Sequence, residues 1–243
     1  MLQYHAVILA AGKGSRLGAL TTRKPKCLLP LGSETIIERQ LRLLQDTGVS
    51  RITMVVGYQR DAISARLGER VRMIVNDRYE TTGNIVSLWE ARGLFSDNTL
   101  ILNSDIIYER GILEAVIAST RSWAFAVDST RCRSGHIRIV IEDGRPTDIG
   151  RHVPAERSQA AFLGVGLVRN DGVAAFRKAL EHCVQRSLQM GWSNTFLSVA
   201  AAGHDVDLCE YSGPWFDVNS VTTYRKACRH VSSGAPVDAR ASD

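Results

Sequence analysis

The stretch YHAVILAAGKGSRLGALTTRKPKCLLPLG, Tyr4–Gly32, joins an apolar run to a loop rich in glycine and basic residues. Tyr4 to Ala10 is almost continuously apolar and is followed by glycine. That is the pattern of a central parallel strand covered on both faces. Open α/β sheets bind ligands at the carboxyl ends of their strands. The loop after such a strand is therefore the first place to look for an anion site. Its glycines let bare backbone N–H groups approach a phosphate.

Two common phosphate loops fail here on spacing. The dinucleotide fingerprint needs G-x-G-x-x-G, and Leu17 stands where the third glycine is required. The nucleoside-triphosphatase loop ends in G-K-[ST] with four residues between its glycines, which Gly12-Lys13-Gly14-Ser15 does not match. What remains is G-x-G-S-R-L followed by K-P-K. Lys13 and Arg16 place cations beside the loop, and Pro25 stiffens the approach to Lys26. Several cations converging on one polyphosphate suit phosphoryl or nucleotidyl transfer, which is chiefly positioning and charge stabilisation.

Outward from the loop, strands and helices alternate. Thr35–Thr47 has a helical apolar pattern, Ile52–Gly57 reads as a strand, Asp61–Leu67 as a short helix and Val71–Asn76 as a third strand. Asn84–Arg92 reads as a helix and Thr99–Asp105 as a fourth strand ending in a carboxylate. This order predicts an α/β, Rossmann-like, doubly wound and mostly parallel sheet. The second half differs. WAFAVD, HIRIVIED and AAFLGVGLV are strand-like and close together, with Asp143-Gly144 as a turn, and predict a small antiparallel acceptor-binding lid. Helices over Asp171–Arg186 and Asn194–Ala202 and a strand over Val206–Cys209 complete the pattern. With no internal repeat, residues 1–231 read as one domain, with a nucleotide-binding half (1–120) and an acceptor-binding half (121–231). The small polar tail 232–243 is expected to be disordered.

Composition narrows the classes. Thirty basic against 25 acidic residues give a net charge of +5, scattered rather than striped, so a nucleic-acid partner is not expected. The five cysteines show no C-x-x-C spacing and suit reduced thiols in the cytoplasm. Cys132 and His136 lack a second metal-binding pair nearby. The first apolar run is too short to span a membrane, and no membrane partner is expected.

Two carboxylates complement the loop. Asp105 lies at the same sheet edge, and Asp217 and Asn219 alternate in WFDVNS, so an extended segment would turn both the same way. Mg²⁺ takes one or two carboxylates together with phosphate oxygens and water. Asp105 and Asp217 fit that role if the fold brings them together.

These residues resemble the signature of nucleotidyltransferases that join a nucleoside triphosphate to a phosphorylated small molecule and release pyrophosphate. The match runs from the first loop through GVSRITMVVGYQ and NSD to FDVNSVTTYRKA. Within that superfamily, VNDRYETTGNIVSLWEAR, Val75–Arg92, is similar to a stretch of the bacterial CTP:phosphocholine cytidylyltransferases. That branch also contains enzymes acting on phosphonates, including 2-aminoethylphosphonate and phosphonoformate. The resemblance implies CTP as donor. It implies that the pyrimidine is held by the first loop (Leu9, Ala10, Ala11, Gly12, Gly14, Ser15) and by Gly83, Asn84 and Ser87. It places Mg²⁺ on Asp105 and Asp217 with Asn219 beside them, and Lys26, Arg16 and Lys13 along the triphosphate and incoming anion.

The sequence departs from the family pattern at three points. Gly83 stands where relatives usually have asparagine, and Asn219 replaces a common aspartate. The aromatic box expected around a quaternary ammonium is absent; STRCRSGHIR supplies Arg131, Arg133, His136 and Arg138 instead. These residues favour a small anionic phosphonate or phosphate acceptor, with Trp192 and Trp215 as further lining. The expectation is a cytidylyltransferase. A sugar-1-phosphate nucleotidyltransferase using UTP, dTTP or GTP and a non-catalytic nucleotide-sensing paralogue are the alternatives. A homodimer is admitted.

Overall fold

The computed structural model describes residues 3–132 and 135–233. In chain order the strands are β1 (Tyr4–Ala10), β2 (Pro30–Leu31), β3 (Glu34–Thr35), β4 (Arg51–Val56), β5 (Arg72–Val75), β6 (Asn98–Asn103), β7 (Ile106–Tyr108), β8 (Trp123–Asp128), β9 (Arg138–Glu142), β10 (Arg145–Gly150), β11 (Ala160–Val168), β12 (Val206–Glu210) and β13 (Trp215–Asp217). The helices are α1 (Ile36–Asp46), α2 (Arg60–Leu67), α3 (Asn84–Glu90), α4 (Gly111–Ala118), α5 (Val173–Arg186), α6 (Asn194–Ala201) and α7 (Val221–Ser233).

Burial explains why β1 is central. Alternate side chains point to opposite faces of a strand. Ala6, Ile8 and Ala10 join a core with Ile37 and Leu41 of α1, Ile63 of α2 and Ile112 of α4. Val7 and Leu9 join another with Ile85 of α3, Phe176 of α5 and Phe196 of α6. Helices therefore cover both faces. β1 pairs in parallel with β4 on one side and β6 on the other, and β5 extends the sheet beyond β4. Local signals bound the helix after the first loop. Thr35 and Glu38 form a reciprocal capping box at the start of α1, and Gly48, at φ +82°, follows its end.

Antiparallel strands continue this same sheet. β11 is antiparallel to β6 through residues 165–168 and to β9 through residues 160–161, while β8 lies along its other edge. Between those two pairings β11 changes register and Gly164 adopts φ +69°. A Cβ there would lie 2.8 Å from the Asn103 amide nitrogen. β6 and β9 thus diverge from a shared neighbour, and a cleft opens between them.

The expected elements agree in their boundaries within a few residues; α4 and the short strands β2, β3 and β7 were not expected, and three further points differ. β6 stops at Asn103, so Asp105 lies in the turn to β7 rather than closing the strand. β10 was not legible, because Pro146, Asp148 and a register shift between them break strand alternation. Proline is tolerated there because β10 is at the edge of the sheet. Ser232 and Ser233 belong to α7; the rest of the expected tail, residues 234–243, lies outside the described residues. Among the described residues no helix is long and apolar enough to cross a membrane.

Candidate active site

The cleft at the carboxyl ends of β1 and β6 has a volume of about 720 Å³. Its floor is the first loop. Gly14 is left-handed (φ 64°, ψ 31°), and Leu17 N–H donates to the Gly14 carbonyl, closing a turn. Buried Leu17 anchors this turn, and the Thr21 hydroxyl donates to the Gly14 carbonyl at 3.0 Å. Leu9, Ala10, Ala11, Gly12, Gly14 and Arg16 face the cleft; Lys13 and Ser15 lie outside its walls. Lys13 pairs instead with Glu80 at 3.3 Å, both largely exposed, and lies over the Tyr58 ring.

Lys26 is the best-placed cation. Extended Pro25 leads into a tight turn over Lys26–Leu28, leaving Lys26 only 8% exposed. Its ammonium donates to Asp105 Oδ2 at 2.7 Å and to Asn219 Oδ1 at 3.0 Å. Arg16 Nη2 donates to that same Asn219 oxygen at 2.8 Å. A neutral amide thus holds two cations together without neutralising either.

Asp105 and Asp217, 112 positions apart by their residue numbers, are brought together by β7 and β13. Asp217 is paired with Ile106 across this two-stranded sheet, and Val218 N–H donates to the Asp105 carbonyl at 3.0 Å. Beyond Asp217 the backbone turns, with Asn219 N–H donating to the Asp217 carbonyl. Asn219 therefore reaches the cleft by a turn rather than by strand alternation. Burial, then the neighbouring Asp105 charge, push the Asp217 carboxyl up to about 7, while Lys26, Arg151 and Arg16 oppose the shift. Two carboxylates in one low-dielectric site repel each other. A divalent cation would relieve that repulsion, so the donor set fits one, with phosphate oxygens completing its ligands. Among the described residues no group of three or more His, Cys, Asp or Glu side chains is assembled to hold a metal.

Another wall of the cleft, the one expected to face the nucleoside, comes from the segment before α3 and from α3 itself. Gly83, Asn84 and Ser87 line the cleft together with Asn76, Tyr79 and Thr82. The Asn76 amide donates to the buried Ser87 hydroxyl at 3.0 Å, and Asn84 Oδ1 accepts from Trp192 N–H at 3.0 Å.

The described acceptor-side residues read from the sequence are not among those lining the cleft. Arg131 is turned away: its Nε donates to Asp128 at 2.9 Å and its Nη2 to the Ser212 carbonyl at 2.7 Å and to that of Gly213. Burial alone would raise the Asp128 carboxyl, but hydrogen bonds from Thr130 and Trp215 and the Arg131 charge hold it below its ordinary value. His136 stacks on Trp215, ring centroids 4.6 Å apart, and Arg138 donates to the Val153 carbonyl. Arg133 lies outside the described residues. Trp192 and Trp215 are buried and are not among the residues lining this cleft; their indole N–H groups donate to Asn103 and Asp128 respectively.

Arg151 and His152 take the place of those residues. They follow β10 directly and line the cleft with Ile137, Ile149 and Gly150. Arg151 approaches Asp217 at 3.8 Å and also donates to the Gly135 carbonyl. Burial first, and then Arg16, lower its pKa, against the opposing charges of Asp217 and Asp105. His152 pairs with Asp148 at 2.9 Å. The sequence carried one weak cue, a cation just after Gly150, but it was hidden because β10 was not legible.

Residues 6–146 match the MobA-like NTP transferase domain, and the chain belongs to that family. It is 29% identical over 240 residues to the CMP-5'-(3-aminopropyl)phosphonate synthase of Streptomyces rubellomurinus, covering 91% of this chain and 38% of that protein. It is 30% identical over 147 residues to the choline-phosphate cytidylyltransferase of Streptococcus pneumoniae, covering 59% of this chain and 62% of that protein. The chain thus spans under two thirds of either relative. A solved CTP:phosphocholine cytidylyltransferase from Streptococcus pneumoniae shares the fold, with a TM-score of 0.74 at 22% identity, over 94% of this chain and 99% of that one.

Proposed function

We propose that this chain is a Mg²⁺-dependent cytidylyltransferase that transfers CMP from CTP to a small phosphonate or phosphate acceptor and releases pyrophosphate. The observation that carries this reading is the Lys26–Asp105–Asn219–Arg16 cluster beside Asp217. It sets mobile and fixed cations against a pair of carboxylates at the mouth of a backbone cradle. By name, one relative is a synthase of a CMP-phosphonate, another a choline-phosphate cytidylyltransferase, and the solved structure a CTP:phosphocholine cytidylyltransferase, which supports the choice of donor. Residues 1–231 are read as one catalytic domain, since the antiparallel strands continue the parallel sheet.

In this reading an oxygen of the acceptor, already ionised near neutral pH, attacks the α-phosphorus of CTP in line. The new O–P bond forms as the bond from the α-phosphorus to the bridging oxygen breaks, and pyrophosphate leaves with the electron pair. No proton has to be removed from the acceptor. Lys26, fixed by Asp105 and Asn219, orients the anionic groups and offsets their mutual repulsion. Arg16 stabilises charge on the leaving pyrophosphate, and Arg151 holds the acceptor's anionic head. Lys13 reaches the phosphates only after leaving Glu80. Asp105 and Asp217 would hold Mg²⁺, with Asn219 as their neighbour. When bound, the ion offsets charge that develops on the phosphate oxygens.

The test is pyrophosphate release measured with each of four nucleoside triphosphates against phosphonates, phosphocholine and sugar phosphates. Release that requires CTP, Mg²⁺ and a phosphonate or phosphate acceptor is expected. Nucleotide binding without turnover for every acceptor would instead mark a sensing paralogue.

A further inference from the structure

The segment Ser187–Gly191 has no assigned role, yet it crosses the end of the cleft as a strap. It is attached to the nucleoside-facing wall by two main-chain hydrogen bonds and by one from the Gln189 side chain. Gly83 N–H donates to the Leu188 carbonyl at 2.7 Å, and Ile85 N–H donates to the Met190 carbonyl at 3.3 Å. The Gln189 amide donates to the Thr81 carbonyl at 2.6 Å, and just past the strap Trp192 N–H donates to Asn84. Gln189, Met190 and Gly191 themselves line the cleft.

The seat of this strap is Gly83. Its φ and ψ of −71° and 169° are ordinary for any residue, so backbone conformation does not require glycine. Space does: a Cβ at position 83 would stand 2.3 Å from the Met190 carbonyl oxygen and 2.6 Å from that of Gln189. Those atoms are backbone and cannot rotate away. Any side chain at position 83 must therefore lift the strap or push Asn84 and α3.

We propose that the Ser187–Gly191 strap, seated on Gly83, is the element that selects the donor base. It replaces a side chain at position 83 with main chain from a distant segment, and so sets the depth of the cavity facing Asn84 and Ser87. With the strap seated, the wall is rigid and admits a pyrimidine. With it lifted, the added ring of a purine is accommodated. Gly83 and Gln189 are thus positioning residues that act through the wall. This rests on the reading of the cleft as a nucleotide site.

The test compares Gly83→Ala, which adds the clashing Cβ, with Gln189→Ala, which removes one tether and adds no bulk. Calorimetry with CTP and with GTP reads nucleotide binding independently of turnover, and steady-state kinetics separate KM for CTP from KM for acceptor. In Gly83→Ala the ratio of CTP to GTP affinity is expected to fall by about tenfold, the usual size of a pocket-shape effect. Gln189→Ala is expected to move it in the same direction by less. The acceptor KM should stay within roughly twofold, well short of that effect. An unchanged ratio in both variants, or a change confined to acceptor KM, overturns the proposal. If Gly83→Ala does not fold, Gln189→Ala decides by the same readouts. Failure of the wild-type protein to bind any nucleotide would count against the nucleotide site itself. Binding without strap-dependent selectivity would count against the strap alone.

Discussion

The first loop and the β9–β10 hairpin both bring cations to the same cleft, but by different means. In the loop, most of the residues that matter are close in sequence. Gly14, Arg16, Pro25 and Lys26 lie within one short stretch, shaped by local turns and by the buried anchor Leu17. At the hairpin, four basic residues also cluster in sequence, at 131, 133, 136 and 138, yet the described three all serve structure. The residues that face the cleft there, Arg151 and His152, follow an edge strand interrupted by proline. Charge in sequence becomes a binding site only where the backbone already points it at open space. Elsewhere buried carbonyls and carboxylates capture it.

The sharpest way to break this comparison is to remove the central residues of the loop side. Lys26→Ala is expected to lower turnover by about 10²–10³-fold, read as pyrophosphate release, and Asp105→Ala to do likewise. Near wild-type rates in both would end the proposed mechanism.

Asp217→Asn separates chemistry from stability. The native pKa of Asp217, about 7, lies above its ordinary value of 3.8. The folded state therefore favours the protonated form, and stability falls as pH rises from about 4 toward 7. An amide removes that cost. The variant should melt higher than wild type in EDTA at pH 7, by roughly 5 °C, while losing activity. Added Mg²⁺ should stabilise the wild type and leave the variant unmoved. A variant that melts lower in EDTA would contradict the crowding of carboxylates.

The two kinds of arginine give a paired test. Arg151→Ala should raise acceptor KM by about tenfold or more, as expected for loss of a charged hydrogen-bonding partner, with CTP affinity little changed. Arg131→Ala should leave both constants near wild type and cost on the order of 2 kcal/mol of stability in urea unfolding. The reverse pattern would restore the acceptor role read from the sequence.

The smallest effect on catalysis lies farthest from the cleft. Burial, followed by the Arg51 charge, lowers His5 to about 4, below its ordinary 6.5, and its Nε2 is bonded to Thr53. Between those pH values the unfolded chain binds a proton that the native state refuses, so stability should fall as pH drops from 6.5 toward 4. His5→Gln should flatten that slope without altering activity at neutral pH. Denaturation midpoints at pH 7 and pH 5 provide the check.

Much of the sheet was legible because strand and helix periods are local. A short, glycine-bounded apolar run suits a covered strand, and Thr35 with Glu38 can satisfy the first turn of a helix from within four residues. β10 was not legible, since an edge strand tolerates proline and bulges that destroy alternation. The tryptophans misled for a related reason: an indole is as useful to a core as to a pocket. Trp192 and Trp215 each found an internal acceptor for their N–H groups.

By itself the sequence determined the parallel sheet, the cradle after β1 and the cations beside it, because these follow from spacing along one segment. Only the tertiary structure decided that Asp105 meets Asp217, that Arg151 rather than Arg131 faces the cleft, and that Gly83 is the seat of a strap. Each of those depends on contact between segments far apart in the chain. No local period encodes such a contact; it arises where packing of the sheet leaves two backbones side by side.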